Sequence, residues 1–145
     1  MKKTILYVED EVDDVFFMKA AFKRAGVPVE LASVGDGQKA IAYLAGEGVF
    51  ADREKHPLPE AMLLDLNLPV QSGFEVLGWL RQQPQFKELT VVVFSSSGRP
   101  DDRRRAQELG ATDYVLKPSS GVDFVEVARR FNERWLTDKG AIGAV

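Results

Sequence analysis

The sequence has 145 residues, 45% hydrophobic and 28% charged, which is the composition of a globular domain rather than of a disordered or fibrous chain. Its net charge of −3 argues against nonspecific binding to nucleic acid or to an anionic membrane. The absence of cysteine excludes disulfide bonds, thiol chemistry and cysteine-bound zinc.

Five short segments are predicted to be strands. Four of them are almost continuously apolar, as in a parallel sheet that helices cover on both faces, and they lie at Thr4–Val8, Ala61–Leu64, Thr90–Phe94 and Tyr114–Leu116. Val29–Ser33 is more polar, which favours an edge strand. The first apolar run stops at two acidic residues. It is therefore too short for a signal peptide or a membrane span, and a cytoplasmic protein is expected.

Segments with helical spacing of apolar residues alternate with these strands. They are predicted at about Val12–Ala25, from Asp36–Gly37 through Leu44, and at Gly73–Gln83, Pro100–Leu109 and Val122–Leu136. Side chains at this spacing are expected in the core: Val15, Met18, Phe22, Ile41, Leu44, Leu77, Leu80, Phe124, Ala128, Phe131 and Trp135. Five β–α units in this order predict a doubly wound parallel α/β sheet.

The chain is expected to be a single domain over residues 1–145, with its core at about residues 4–136. There is no internal repeat and no linker composition, and Gly46–Glu60 is the one long irregular segment. Only nine residues follow Leu136, so no second domain is predicted there.

Polar side chains interrupt the apolar runs where the predicted strands end. Glu9 and Asp10 follow the first strand, Asp65 ends the third, Ser95 follows the fourth and Lys117 follows the fifth. In parallel sheets ligands bind beyond the carboxyl ends of the strands, so these side chains are expected to meet. Three converging carboxylates repel each other unless a cation lies among them, and ligands that are all oxygen favour Mg²⁺.

Each residue also has a simpler interpretation when it is taken alone. The two acids after the first strand could be a solvated helix entry, an interpretation that fits Asp13 and Asp14 better. Lys117 could be a surface lysine. The charged segment Asp101–Arg105 is expected to be a solvated face, with a partner contact as the alternative. His56, the only histidine, is expected to be solvated in a polar loop and to have no phosphorelay role.

Taken together, four segments resemble the receiver domain of two-component response regulators, the CheY-like superfamily: ILYVEDE, MLLDLNLPVQSG, VVVFSSS and ATDYVLKP. The spacing agrees, with 30 positions from Asp65 to Ser95 and 22 from Ser95 to Lys117. The resemblance covers about residues 4–136. It implies a flavodoxin-like, five-stranded sheet with strand order 2-1-3-4-5 and helices on both faces.

The resemblance also implies a chemistry for each site residue. Asp65 accepts a phosphoryl group from a sensor histidine kinase. The protein is then a signalling phosphoacceptor and not an enzyme with a substrate of its own. Asp10 binds Mg²⁺ directly and Glu9 binds it through water. Asp65 supplies one carboxylate oxygen to the metal, and the backbone carbonyl of Asn67 supplies another ligand. Lys117 contacts the phosphoryl oxygens.

A conformational switch is implied as well. Ser95 moves toward the phosphoryl group, Tyr114 turns into the vacated space, and the surface of the fourth helix, fifth strand and fifth helix changes for a partner. Two positions depart from the usual pattern, because Ser95 stands where threonine is most frequent and Glu9 where aspartate is. The family usually has a cis bond before Pro118, which the sequence cannot show.

The chain also looks like the stand-alone regulators that pair with bacterial phytochrome kinases. The features that carry this likeness are the long loop Gly46–Glu60, the LLDLNLP segment and Trp135–Leu136. A homodimer is common in that subgroup. No DNA partner is expected, because no helix-turn-helix or winged domain is present.

Three other functions stay open at this point: a phosphate sink or relay, a phosphorylation-independent adaptor, and a small aspartate-nucleophile phosphohydrolase of the haloacid dehalogenase type. The last is disfavoured because Asn67 stands where those enzymes need a second acid. A flavin-binding module is disfavoured because two acids follow the first strand, where a phosphate-binding Ser/Thr/Gly loop is needed.

Overall fold

The short apolar runs of the sequence form one sheet. The computed structural model describes residues 2–119 and 121–136. Its five strands are Lys3–Val8 (β1), Val29–Val34 (β2), Ala61–Leu64 (β3), Thr90–Ser95 (β4) and Asp113–Leu116 (β5). All neighbouring strands pair in parallel, in the order β2-β1-β3-β4-β5. The predicted α/β fold and strand order are confirmed, and β2 is an edge strand as expected.

The amphipathic segments form five α-helices, which are Val12–Arg24 (α1), Gly37–Ala45 (α2), Gly73–Gln82 (α3), Pro100–Glu108 (α4) and Gly121–Phe131 (α5). The sequence predicted one continuous last helix, but a π-helical turn at Asn132–Leu136 follows α5. Gly26, just beyond the C-terminal end of α1, has a positive φ of 71°, which glycine adopts without steric cost. The prediction about the nine residues after Leu136 lies outside the described residues.

Two apolar clusters cover the two faces of the sheet. Strand β1 contributes to both, because successive side chains of a strand point to opposite faces. Leu6 and Val8 lie in the cluster with α2 and α3, whereas Ile5 and Tyr7 lie in the cluster with α1 and α5. Eight of the predicted core residues are buried: Met18, Phe22, Leu44, Leu77, Leu80, Phe124, Ala128 and Phe131. Val15, Ile41 and Trp135 are only partly buried.

The long segment Gly46–Glu60 is fixed to α2 by one arginine. It begins with a 3-10 turn at Gly48–Phe50. The guanidinium of Arg53 then donates to the carbonyl oxygens of Tyr43, at 2.7 Å, and Leu44, at 2.8 Å. Arg53 therefore provides a donor for the carbonyl of Leu44 and a second donor for that of Tyr43, which also accepts from the amide of Gly46 at 3.2 Å.

None of the helices in the described part of the chain combines the length and the apolar character that a membrane span needs.

His56 is half-buried in this segment, and the expectation that it is solvated was wrong. Its ring makes edge contacts with Tyr43 and Phe50, with centroid separations of 5.8 and 5.2 Å. Tyr43 is almost completely buried and its hydroxyl donates to the carbonyl of Pro57 at 2.8 Å. The loop therefore packs on α2 through an aromatic cluster.

Candidate functional site

Three residues of the predicted site are held by hydrogen bonds that extend the sheet by one step. The amide of Glu9 donates to the carbonyl of Val34 at 3.0 Å, and that of Asp65 donates to Val8 at 3.1 Å. The amide of Lys117 donates to the carbonyl of Ser95 at 2.8 Å. These side chains therefore leave the carboxyl edge of the sheet from backbone that is still part of its hydrogen-bonded ladder.

At this edge the structure brings together Glu9, Asp10 and Asp65. Each offers one carboxylate oxygen, and these oxygens all lie within 4.8 Å of one another. Glu9 and Asp65 are buried, while Asp10 is exposed. Buried carboxylates this close repel unless a cation neutralises them, and a set of oxygen donors without His or Cys suits a hard divalent cation. The donor set therefore fits a divalent metal ion, for which Asp10 offers the solvent-exposed side.

The ammonium group of Lys117 lies among the same carboxylates. Its Nζ is 2.6 Å from Glu9 Oε1, 3.0 Å from Asp14 Oδ2 and 3.2 Å from Asp65 Oδ2. Only 13% of the lysine side chain is exposed. Burial lowers the pKa of Lys117, but the hydrogen bonds with Glu9 and Asp14 and the charge of Asp65 outweigh it, so the pKa is raised. Lys117 therefore stays protonated and supplies a positive charge at this site.

Asp14 is the site residue that the sequence analysis missed. Its position in the first turn of α1 predicted a solvated acid, yet its carboxylate contacts Lys117. Asp14 lies in the first turn of α1, whereas Asp10 precedes the helix, so their spacing of four positions does not indicate a shared helix face. The sequence therefore offered no local indication that Asp14 belongs to the site. Asp13, by contrast, is exposed, as expected.

Glu9 is the most enclosed acid of the cluster. Burial raises the pKa of Glu9 to about 7, with the charge of Asp65 adding to the effect and the hydrogen bond from Lys117 opposing it. A second donor reaches the same carboxylate, because the hydroxyl of Tyr7 lies 3.1 Å from Glu9 Oε1. Burial and the neighbouring acids raise the pKa of Tyr7, so its hydroxyl stays a donor.

The loop after β3 shapes the surroundings of Asp65. The amide of Asn67 donates to Asp65 Oδ1 at 3.2 Å. Val70 has a positive φ of 69°, and the amide of Gln71 closes a three-residue turn on the carbonyl of Pro69 at 2.8 Å. The turn leads directly into α3.

The start of α3 packs directly on this loop. Ser72 and Glu75 form a capping box there, so the first turn of the helix is satisfied by its own side chains. At Gly73, a Cβ would lie 2.2 Å from the carbonyl oxygen of Asp65. Only glycine allows this close approach of helix and strand end.

Ser95 and Tyr114, the two predicted switch residues, are connected through Ser97. The hydroxyl of Ser95 is completely buried and accepts from the amide of Ser97 at 3.1 Å. The hydroxyl of Tyr114 donates to the carbonyl of Ser97 at 2.7 Å. Tyr114 is buried, and the guanidinium of Arg103 lies 4.6 Å from its ring centroid. In this structure, Tyr114 therefore lies packed between the loop after β4 and helix α4.

The charged segment Asp101–Arg105 of α4 is mostly solvated, as predicted, because four of its five residues are exposed and only Asp102 is partly buried. Asp102 Oδ2 accepts a hydrogen bond of 2.6 Å from the hydroxyl of Ser97, and Arg105 lies 4.1 Å above the ring of Phe74. Asp101 and Arg104 form an exposed ion pair, in agreement with the solvated interpretation.

The bond between Lys117 and Pro118 is trans, as are all peptide bonds of the described residues.

Comparison with protein-family profiles matches residues 5–129 to the family described as "Response regulator receiver domain". The chain belongs to this family. A receiver domain is a signalling component of a two-component system, and such domains receive their phosphoryl group from histidine kinases. The resemblance inferred from the four sequence segments is confirmed.

Among similar proteins, the response regulator Rcp1 of Synechocystis sp. is 34% identical over 134 residues, which cover 92% of this receiver domain chain and 89% of Rcp1. The solved structure of the phosphorylated cyanobacterial phytochrome response regulator RcpA has a TM-score of 0.87 at 34% identity, with 94% and 96% of the chains covered. Response regulator RPA3017, described in red light signalling of R. palustris, has a TM-score of 0.87 at 33% identity and coverages of 93% and 94%. This receiver domain is therefore similar to phytochrome response regulators along most of its length.

Proposed function

We propose that Asp65 of this receiver domain is the phosphoacceptor. The observation that supports this is the buried carboxylate of Asp65 at the end of β3, flanked by Glu9, Asp10 and the ammonium of Lys117. A carboxylate oxygen of Asp65 forms the bond to phosphorus. The bond from phosphorus to the histidine nitrogen of the kinase breaks, and that nitrogen takes up a proton. The product is an acyl phosphate on Asp65.

We propose Mg²⁺ as the divalent cation, held by Glu9, Asp10, Asp65 and the backbone carbonyl of Asn67. When bound, it reduces the repulsion between the incoming phosphoryl group and the carboxylates. The absence of His and Cys among the donors supports this choice over a softer metal. The solved Mn²⁺-bound form of Rcp1, 34% identical with a TM-score of 0.83, supports a divalent ion in this family.

Lys117 is proposed to exchange partners during the transfer. Its three carboxylate contacts, to Glu9, Asp14 and Asp65, hold the ammonium beside the acceptor oxygen. A new phosphoryl group on Asp65 offers oxygens with more negative charge, which draw the ammonium away from Asp14 and Glu9. The lysine thereby stabilises the charge of the acyl phosphate.

The switch is proposed to run from Ser95 through Ser97 to Tyr114. The hydroxyl of Ser95 turns to donate to a phosphoryl oxygen and gives up the hydrogen bond that it accepts from Ser97. The hydroxyl of Tyr114 donates a hydrogen bond to the carbonyl of the same Ser97. Movement of the loop after β4 therefore changes the packing of Tyr114 and Arg103. The surface formed by α4, β5 and α5 is the one that a partner then distinguishes.

The proposal also covers the phosphoryl donor, the assembly and the domain organisation. We propose a kinase of the bacterial phytochrome type, because relatives with this description match most of the chain. Bacteriophytochrome response regulator RtBRR, 37% identical with a TM-score of 0.74, supports the same assignment. A single receiver domain with its core at about residues 4–136, a cytoplasmic location and a homodimer are part of this proposal. A phosphate-sink role is the second candidate.

The test is phosphorylation with a small-molecule donor. The wild-type chain is incubated with acetyl phosphate and Mg²⁺, and its intact mass is measured beside Asp65→Asn and Asp13→Asn. We expect one phosphoryl group on the wild type and on Asp13→Asn, whose exposed acid lies outside the cluster, and none on Asp65→Asn. An adduct on Asp65→Asn equal to that on the wild type would reject Asp65 as the acceptor. Transfer back to a phytochrome kinase faster than hydrolysis would favour the phosphate sink.

A further inference from the structure

Tyr7 places a polar group inside the core directly beside the acidic cluster. The residue is completely buried, and its ring contacts Phe94 edge-on at a centroid separation of 6.2 Å. Tyr7 and Glu9 are two positions apart on one extended segment, so their side chains leave the sheet on the same face. The hydroxyl of Tyr7 therefore extends along β1 toward the carboxyl edge, where the carboxylate of Glu9 lies.

Of the groups that contact the carboxylate of Glu9, Lys117 can move away and Tyr7 cannot. Its Oε1 accepts from Tyr7 at 3.1 Å and faces Lys117 at 2.6 Å, while its Oε2 accepts from the amide of Glu11 at 3.2 Å. Lys117 is shared with Asp14 and Asp65, so it is the partner that can leave. Tyr7 is anchored in the core by its ring and has no such freedom.

We infer that Tyr7 is a positioning residue that holds the carboxylate of Glu9 at the cation site, and that Tyr7 and Glu9 are a matched pair. The inference rests on the proposed function, in which Lys117 leaves Glu9 for the phosphoryl group. Before phosphorylation the ammonium of Lys117 is already shared with Asp14 and Asp65, so in both states the hydroxyl of Tyr7 is the donor that stays on Oε1 and keeps the buried carboxylate of Glu9 turned toward the cation site.

The pairing also explains why this chain has glutamate at this position. An aspartate is shorter by one carbon–carbon bond of about 1.5 Å. With the backbone of residue 9 held by Val34, that difference would stretch the 3.1 Å contact beyond hydrogen-bond range. A buried tyrosine hydroxyl would then have no acceptor. The length of Glu9 is therefore set by the position of Tyr7 and not by the metal alone.

The test measures binding of Mg²⁺ alone to the unphosphorylated chain by titration calorimetry. The variants are Tyr7→Phe, Glu9→Asp and the double variant. Tyr43→Phe is the matched control, because Tyr43 is an equally buried tyrosine whose hydroxyl is bonded to a carbonyl outside the cluster. Tyr7→Phe keeps the ring and removes one hydrogen bond to a carboxylate, so we expect Mg²⁺ affinity to fall about tenfold.

Two results separate positioning from a merely structural role. Both Tyr→Phe variants should lower the urea midpoint of unfolding, but Tyr43→Phe should bind Mg²⁺ within about twofold of the wild type. In the Glu9→Asp background, Tyr7→Phe should change Mg²⁺ affinity by less than about twofold, because no contact is left to lose. If Tyr7→Phe lowered Mg²⁺ affinity by the full tenfold in that background too, the proposal that Tyr7 and Glu9 are a matched pair would be refuted.

The outcomes also separate this inference from the proposed function. If the wild type binds Mg²⁺ and is phosphorylated on Asp65, but Tyr7→Phe binds Mg²⁺ as the wild type does, the role of Tyr7 is refuted and the function stands. If the wild type binds no Mg²⁺, the cation site and the role of Tyr7 are both refuted.

Discussion

Two glycines of α3 allow a matched test of how the acceptor aspartate is positioned. At Gly73, the first residue of the helix, an added Cβ would lie 2.2 Å from the oxygen of Asp65 and 2.7 Å from the Cα of Leu66. Both are backbone atoms, which cannot rotate away as a flexible side chain could. At Gly78, in the same helix, the nearest atom to an added Cβ is a methyl carbon of Leu109 at 4.0 Å.

The expected magnitudes follow from these distances. A Cβ in ordinary contact needs about 3.4 Å, so Gly73→Ala must push the helix start and the end of β3 apart by about 1 Å. It also strains the hydrogen bond from the amide of Gly73 to the carbonyl of Leu66, now 3.0 Å. We expect the free energy of unfolding to fall by about 2–4 kcal/mol. Gly78→Ala should raise it by about 0.5–1 kcal/mol through helix propensity.

The assay has two parts. Urea unfolding, followed by circular dichroism, gives the free energies. Phosphorylation by acetyl phosphate with Mg²⁺ gives the rate at Asp65 under conditions where each variant is folded. Because a misplacement of about 1 Å near reacting atoms costs up to about a hundredfold in rate, Gly73→Ala should be phosphorylated at least about tenfold more slowly. Gly78→Ala should keep the wild-type rate.

Wild-type stability and phosphorylation rate in Gly73→Ala would show that the close approach of α3 to the end of β3 has no consequence, contrary to this prediction. Loss of stability with an unchanged rate would separate the fold from the site. In that case, the helix start would not position Asp65.

Three further predictions concern other parts of the molecule. Val70→Gly should raise the free energy of unfolding by about 0.5–1 kcal/mol, because a β-branched residue is strained at a φ of 69°; a lower urea midpoint would contradict this. Arg53→Met should lower it by about 1–3 kcal/mol by removing the guanidinium from the carbonyls of Tyr43 and Leu44, of which Tyr43 keeps the amide of Gly46 as a donor, and an unchanged midpoint would show that water replaces the guanidinium. Tyr114→Phe should cost about 1 kcal/mol by removing the hydrogen bond to the carbonyl of Ser97, and the amide NMR signal of Gly98, which shares that peptide group, should shift; an unmoved signal would argue against that contact.

The strands and helices could be predicted from the sequence because burial on both faces of a parallel sheet leaves continuous apolar runs. The predicted bounds of Ala61–Leu64 are those of β3. Errors arose where packing overrides local pattern. Ile41 has helical spacing but is only partly buried, whereas Tyr43 of the same helix is almost completely buried because the long loop folds back and covers it.

The polar ends of these runs were likewise visible in the sequence. Glu9, Asp10, Asp65 and Lys117 each follow an apolar strand, and parallel strands necessarily bring their carboxyl ends to one edge. Sequence and topology together therefore predicted which side chains meet. Their roles in phosphoryl transfer stay predictions.

Only the tertiary structure decided which neighbours these side chains have. Asp14 contacts Lys117 across 103 positions of the chain, and an acid in a first helical turn carries no local indication of such a partner. Tyr7 was an apolar strand residue in the sequence, because the pattern records that a ring is buried but not where its hydroxyl ends. Burial follows from local periodicity, whereas hydrogen-bond partners depend on distances between elements, which the fold alone determines.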